Sequence, residues 1–135
     1  MAIIAAALTG CATPATQIVR DSSPMLLPAG PGNVARGREI AAGRDGNCVL
    51  CHVIPGIGAK FMGNLGPTLA GVGARLNEAQ LRQQLVDPQR LNPDSIMPAY
   101  ARTDGLTRVG QAWRDKPILT TQQIEDTVAF LATLR

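Results

Sequence analysis

Cys48-Val49-Leu50-Cys51-His52 constrains this chain more than any other stretch. Two thiols at this spacing can add to the two vinyl groups of one porphyrin, and the histidine that follows directly then lies under the iron. A zinc site would need four soft ligands, and beyond these three residues only Cys11 remains, far off in the N-terminal tail. A thioredoxin-type redox pair would follow a strand inside a βαβ pattern. Here the flanks are glycine-rich, with Gly43, Gly46, Gly56 and Gly58, and no strand-like run precedes Cys48. The motif therefore points to one covalently attached haem c, held by Cys48 and Cys51, with His52 as an axial iron ligand. His52 is the only histidine among 135 residues.

That length fits one domain with some tail. Large side chains are scarce: the aromatic residues are Phe61, Tyr100, Trp113 and Phe130, against 14 Gly and 10 Pro. A buried porphyrin would supply apolar bulk, and a group bound only by the folded state adds stability by linkage. The net charge is +3, with basic residues alternating with acids, as in Arg36, Arg38, Glu39, Arg44 and Asp45. This is a mixed solvated surface without the polybasic run expected of a nucleic-acid binder.

Residues 1–11 are apolar and end in Leu8-Thr9-Gly10-Cys11. This ending resembles the lipobox of bacterial lipoproteins, whose cysteine is lipidated. A lipidated Cys11 would tether the chain to a membrane. The run is short for an export signal and has no Lys or Arg before it; a truncated start would account for both departures. Export is expected in any event, because haem attachment of this type belongs to an exported, oxidising compartment such as the periplasm. No segment reaches the ~18 apolar residues needed to span a bilayer. Residues 12–32 carry Pro14, Ser22, Ser23, Pro24, Pro28 and Pro31 with no sustained period, as expected of a linker or a partner-wrapping arm.

The domain proper is expected over residues 33–135. Asn33 can cap a helix over 34–42 that Gly43 ends. Gly37 sits mid-helix, where glycine costs about 1 kcal/mol relative to alanine unless another helix approaches closely. Asp45-Gly46-Asn47 turns the chain into the Cys48 motif, and Pro55-Gly56-Ile57-Gly58-Ala59 reads as a loop. A second helix is expected over 77–86, with Asn77 and Gln80 at capping-box spacing, Leu81 and Leu85 on one face, and Pro88 as its stop. Thr120 and Gln123 open a last helix with Ile124, Val128 and Leu131 on one face and Thr127, Phe130 and Leu134 beside them. Glu125 and Asp126 in its first turns and Arg135 at its end would suit the helix dipole. No strand-like alternation or internal repeat is present, so the chain is expected to be all-α.

Two further site residues follow from the chemistry of a haem histidine. Pro67 stands fifteen residues after His52, and its carbonyl could accept the second imidazole N–H, fixing tautomer and ring orientation. With no second histidine, the other axial position falls to Met, Cys, Lys, water or nothing. Met97 is favoured: it follows a full helix, and Pro93 and Pro98 bracket its loop, with Pro98 restricting Met97 to extended conformations. Met62 is the rival, only ten residues past His52. His/Met ligation raises the reduction potential and leaves no open coordination site, which points to electron transfer.

With these residues placed, residues 33–135 resemble class I c-type cytochromes, in which an N-terminal helix crosses a C-terminal one through a glycine and an aromatic residue. Gly37 and Phe130 match those positions. Gly66-Pro67-Thr68-Leu69, Asn92-Pro93, Met97-Pro98-Ala99-Tyr100, Gly105-Leu106-Thr107-Arg108-Val109 and Lys116-Pro117-Ile118-Leu119-Thr120 together are similar, in order and spacing, to the SoxX family. So is the long insert of residues 101–119. SoxX proteins are the monohaem subunits of SoxAX cytochromes, which join thiosulfate to a cysteine of the carrier protein SoxY. The resemblance implies a class I cytochrome c-like fold, a SoxA-like partner in a heterodimer, and a downstream electron-acceptor cytochrome. It implies no catalytic residue on this chain, since the sulfur chemistry belongs to SoxA. The alternatives are a free-standing periplasmic shuttle cytochrome, which would form no stable complex, and a cytochrome domain serving another periplasmic dehydrogenase.

Overall fold

The computed structural model describes residues 29–135, so Cys11, the lipobox-like segment and most of the expected arm lie outside the described residues. The described residues form four α-helices: α1 Val34–Ala42, α2 Val72–Arg75, α3 Glu78–Val86 and α4 Thr121–Thr133. Single 3-10 turns occupy Cys48–Leu50, Pro88–Arg90 and Gln111–Trp113, and the described residues contain no strand.

The caps act as their spacing predicts. The Asn33 side chain accepts from the backbone N–H of Arg36 at the start of α1. Asn77 with Gln80, and Thr120 with Gln123, form complete capping boxes on α3 and α4. Each satisfies orphan donors of a first turn through contacts only three residues apart. α2 was not expected from the sequence; it is a single short turn entered through Gly71, which has φ +67.

α4 is the element against which the other helices pack. It buries Ile124, Val128, Phe130 and Leu131 against Ala41, Ile54, Leu81, Leu85 and Leu119. α1 crosses it at Gly37, where an added Cβ would stand 1.9 Å from the Asp126 carbonyl oxygen and 2.9 Å from Phe130 Cβ. The mid-helix glycine is thus required by backbone-to-backbone approach. At α2, Gly73 meets Ala132 in the same way, with a Cβ position 2.3 Å from the Ala132 carbonyl oxygen.

The acidic residues of α4 differ from expectation. Neither Glu125 nor Asp126 lies in the first turn of their own helix, and no basic residue lies in its last turn, since α4 ends at Thr133. Asp126 is buried and faces the start of α1 instead. It accepts from the Asn33 backbone N–H at 2.8 Å, from Arg36 Nε at 2.8 Å and from Gln122 Nε2 at 3.0 Å. The carboxylate therefore serves the positive end of a neighbouring helix. The Arg36 hydrogen bond, the dominant influence, holds it below the usual carboxylate range against the opposing effect of burial. Glu125 forms a two-pronged pair with Arg82 of α3, both contacts at 2.6 Å. Before α1, Gly30 donates to Gln122 Oε1 at 2.8 Å, so the chain from residue 30 onward already lies along α4.

Candidate functional site

The site is built first from local geometry. Asn47 adopts a left-handed conformation, φ 45, which turns the chain out of α1 and into the 3-10 turn at Cys48–Leu50. The backbone N–H groups of Cys51 and His52 both converge on the Cys48 carbonyl, at 3.2 and 2.9 Å. Two thiols and the imidazole are thereby presented by one compact turn. Cys48 is buried and Cys51 half-buried, and neither is paired in a disulfide. Burial pushes the Cys48 thiol up, and the nearby Tyr100 hydroxyl opposes this only in part.

His52 is held from two sides. Its Nδ1 lies 2.7 Å from the Pro67 carbonyl oxygen. A carbonyl only accepts, so Nδ1 carries the proton and Nε2 is left with its lone pair free. Gly66 forms the floor beneath the ring: a Cβ there would stand 2.3 Å from Cε1 and 2.6 Å from Nδ1. The loop that brings Gly66 and Pro67 into place is itself pinned, since Gly63 donates to the Val49 carbonyl and Gly66 to the Cys51 carbonyl, each at 2.8 Å. Gly63 allows this approach, as a Cβ there would overlap the Leu50 carbonyl oxygen at 1.8 Å.

Met97 enters on a separate segment. It is half-buried and packs against the main core. Its loop is joined to the Cys48 turn by Tyr100, which is buried and donates its O–H to the Gly46 carbonyl, the same oxygen that faces Cys48 Sγ. Tyr100 also donates its backbone N–H to Leu85 and accepts from Leu119, linking α3, the Met97 loop and the entry to α4. Met62 is placed differently. Its Sδ accepts from the Ile54 backbone N–H at 3.2 Å, two residues past His52.

The residues present fit a covalent haem. The turn offers two thiols and an imidazole with a free Nε2, and the cradle around that imidazole admits no side chain at residue 66. Exposed apolar side chains stand next in the chain to site residues: Leu65, before Gly66, is 70% exposed, and Ile96, before Met97, is 76% exposed. Apolar side chains left exposed are costly in water, and burial against a flat apolar ring would relieve that cost. Among the described residues no three His, Cys, Asp or Glu side chains converge as a bare metal site. Cys48 and Cys51 would hold the group, with the free Nε2 of His52 as a nitrogen donor to its iron.

Sequence reasoning brought out Pro67 and Met97 but assigned no role to Tyr100, Gly63 or Gly66 individually. The spacing in Gly66-Pro67 was available; the contact with the His52 ring depends on a turn the sequence does not display.

The cytochrome c family description matches residues 34–135. Among solved structures, a chain in the crystal structure of SoxXA from P. pantotrophus is 40% identical, with a TM-score of 0.72; the match covers 78% of this chain and 83% of that chain. Ferric cytochrome c-550 from Paracoccus versutus is 21% identical, with a TM-score of 0.44, covering 77% of this chain and 98% of that chain. No curated protein sequence matches.

Proposed function

The chain belongs to the cytochrome c family as a SoxX-like cytochrome carrying covalent haem c, and from that premise we propose that it is the electron-accepting subunit of a SoxAX-like, thiosulfate-oxidising complex. The observation that carries this reading is the 40% identity to a SoxXA chain over 78% of the present one.

When bound, the haem supplies a one-electron couple at its iron. The chain's own residues hold and tune it. Cys48 and Cys51 attach it as thioethers, which have no ionisable proton, so the raised thiol value of Cys48 ceases to matter after attachment. Pro67 fixes the His52 tautomer and leaves Nε2 free, so that it would be available to the iron, and a hydrogen-bonded imidazole is the more basic ligand. Met97 would offer its thioether sulfur to the iron beside the His52 nitrogen. The Ile54 contact supports this assignment, because it commits the rival Met62 sulfur to the backbone just past His52. A haem iron held by both His52 and Met97 would have no place for substrate, so this chain would contribute no catalytic residue.

Joining thiosulfate to a cysteine thiol forms one S–S bond and releases one proton and two electrons. A single haem takes one electron at a time. The subunit must therefore pass the first to a downstream cytochrome before accepting a second, or the partner must retain one. The SoxA-like partner carries the sulfur chemistry, and a SoxY-like carrier protein presents the cysteine. Export to the periplasm accompanies haem attachment, with Cys11 as the point of lipid anchoring. Among the described residues no helix is long and apolar enough to cross a membrane.

Purification of the tagged full chain from cells grown on thiosulfate tests the proposal. Stoichiometric recovery of a second c-type cytochrome, with loss of thiosulfate growth in the deletion strain, is the expected result. A monomeric protein and normal growth would instead favour a free-standing electron shuttle.

A further inference from the structure

Gln89 lies in the 3-10 turn Pro88–Arg90, directly after α3, on a segment anchored by buried Pro88. Its side-chain amide reaches across to the loop that carries Met97. Nε2 donates to the Ser95 carbonyl at 2.9 Å and to the Met97 carbonyl at 2.8 Å. Both amide protons are thereby used, and the orientation of the amide is settled: turning it over would set its oxygen against two carbonyl oxygens. Gln89 Oε1 is buried without a hydrogen-bond partner.

The Met97 peptide is clamped from both ends. Its N–H donates to Ser95 Oγ at 3.3 Å, and its carbonyl is held by Gln89. Pro98 then restricts the Met97 backbone to extended conformations. The rest of the stretch is held by local bonds, with Asn92 N–H on the Pro88 carbonyl at 3.0 Å, Ser95 N–H on the Asn92 carbonyl at 2.9 Å and Asp94 N–H on Asn92 Oδ1 at 3.1 Å, while residues 91–94, Ile96 and Pro98 are exposed. From Ser95 to Met97, the Gln89 amide is the one side chain that reaches this loop from the segment after α3.

From this geometry we infer that Gln89 is a positioning residue for the Met97 thioether, holding the loop in the one conformation that presents its sulfur to the iron. The inference rests on Met97 being the axial ligand. Without the clamp the loop retains its sequence and its prolines but samples conformations in which the sulfur is withdrawn. An exogenous ligand then competes with it more successfully, above all in the ferric state, where thioethers are poor ligands.

The test uses the full-length holoprotein with Gln89→Met, which keeps the shape but removes both donors, and Gln89→Glu, which replaces the amide NH₂ with an acceptor. Imidazole is the competing ligand, titrated into the ferric form while the methionine-to-iron absorption band is followed. Both variants are expected to bind imidazole at least tenfold more tightly than the parent. Gln89→Glu should be the more affected, and the ferrous spectrum should be unchanged. Ser95→Ala, which frees the other end of the same peptide, should move affinity in the same direction by a smaller factor. Imidazole affinities within twofold of the parent in both Gln89 variants would overturn the inference, whatever happens to thermal stability. Met97→Ala separates the two levels. If it abolishes the band, the ligand is Met97 and the imidazole result judges Gln89 alone. If the band survives, the ligand assignment fails and the role of Gln89 fails with it.

Discussion

The Tyr100 hydroxyl donates to the carbonyl of Gly46, a bond between residues 54 positions apart that ties the Met97 segment to the turn presenting Cys48. Tyr100 is only 5% exposed, and burial, its dominant influence, pushes its phenol up, so it remains a donor throughout the ordinary pH range. Removing this hydroxyl leaves a buried carbonyl short of a partner. Tyr100→Phe is expected to cost about 1–3 kcal/mol, measured by denaturant or thermal unfolding of the holoprotein against the parent. A change below a few tenths of a kcal/mol would show that the Cys48 turn and the Met97 segment are held together by packing alone.

Gly66→Ala should act on the ligand directly. The new Cβ would stand 2.3 Å from His52 Cε1, so the ring or the Gly66-Pro67 loop must shift and the Pro67 hydrogen bond must lengthen. A weaker Nδ1–H bond makes the imidazole a poorer donor to iron. The expected outcome is a changed reduction potential with covalent haem retained, read by redox titration and mass spectrometry. An unchanged potential would show that the cradle is not sensed by the iron.

The axial assignment predicts a clean split between methionines. Met97→Ala should abolish the weak sulfur-to-iron band at the red end of the ferric spectrum. Met62→Ala should retain it, because the Met62 sulfur is occupied by the Ile54 N–H. The opposite pattern would move the ligand to Met62.

Gly37→Ala tests the helix crossing. Its Cβ would overlap the Asp126 carbonyl oxygen at 1.9 Å, which no rotamer change can relieve, so α1 and α4 must separate. Overpacking of this kind typically costs about 1–3 kcal/mol, and since each 1 kcal/mol moves the midpoint of a domain this size by about 4–8 °C, a drop visible in a thermal melt is expected.

Acid stability should depend on Asp126. Its folded-state value lies below the ordinary 3.8, chiefly through the Arg36 hydrogen bond. The unfolded state therefore takes up protons first, and the stabilising contribution is present above pH 3.8 and lost as pH falls below it toward the lowered folded value. Asp126→Asn should lower stability at neutral pH and flatten the acid limb of the stability curve. An unaltered acid limb would assign acid unfolding to other carboxylates.

The parts of this protein that were legible in the sequence are those whose partners are a few residues away. Asn33, Asn77 with Gln80, and Thr120 with Gln123 cap their helices through contacts at i+3, so spacing alone marks the helix starts. The haem-binding turn is equally local, since the N–H groups of Cys51 and His52 share the Cys48 carbonyl. The close crossing at Gly37 could be expected because a glycine inside a helix is otherwise a cost without a return. What tertiary structure alone decided involves partners far apart in the chain. Asp126, read as an ornament of its own helix, became the counter-charge of another one. Gln89 carried no motif at all, and its amide acquires meaning only where the chain has folded back to place two carbonyls before it. Hydrogen-bond capacity is written in the residue type, but its partner is chosen by backbone geometry, and that geometry is settled only when α1, α3 and the Met97 loop have packed around α4.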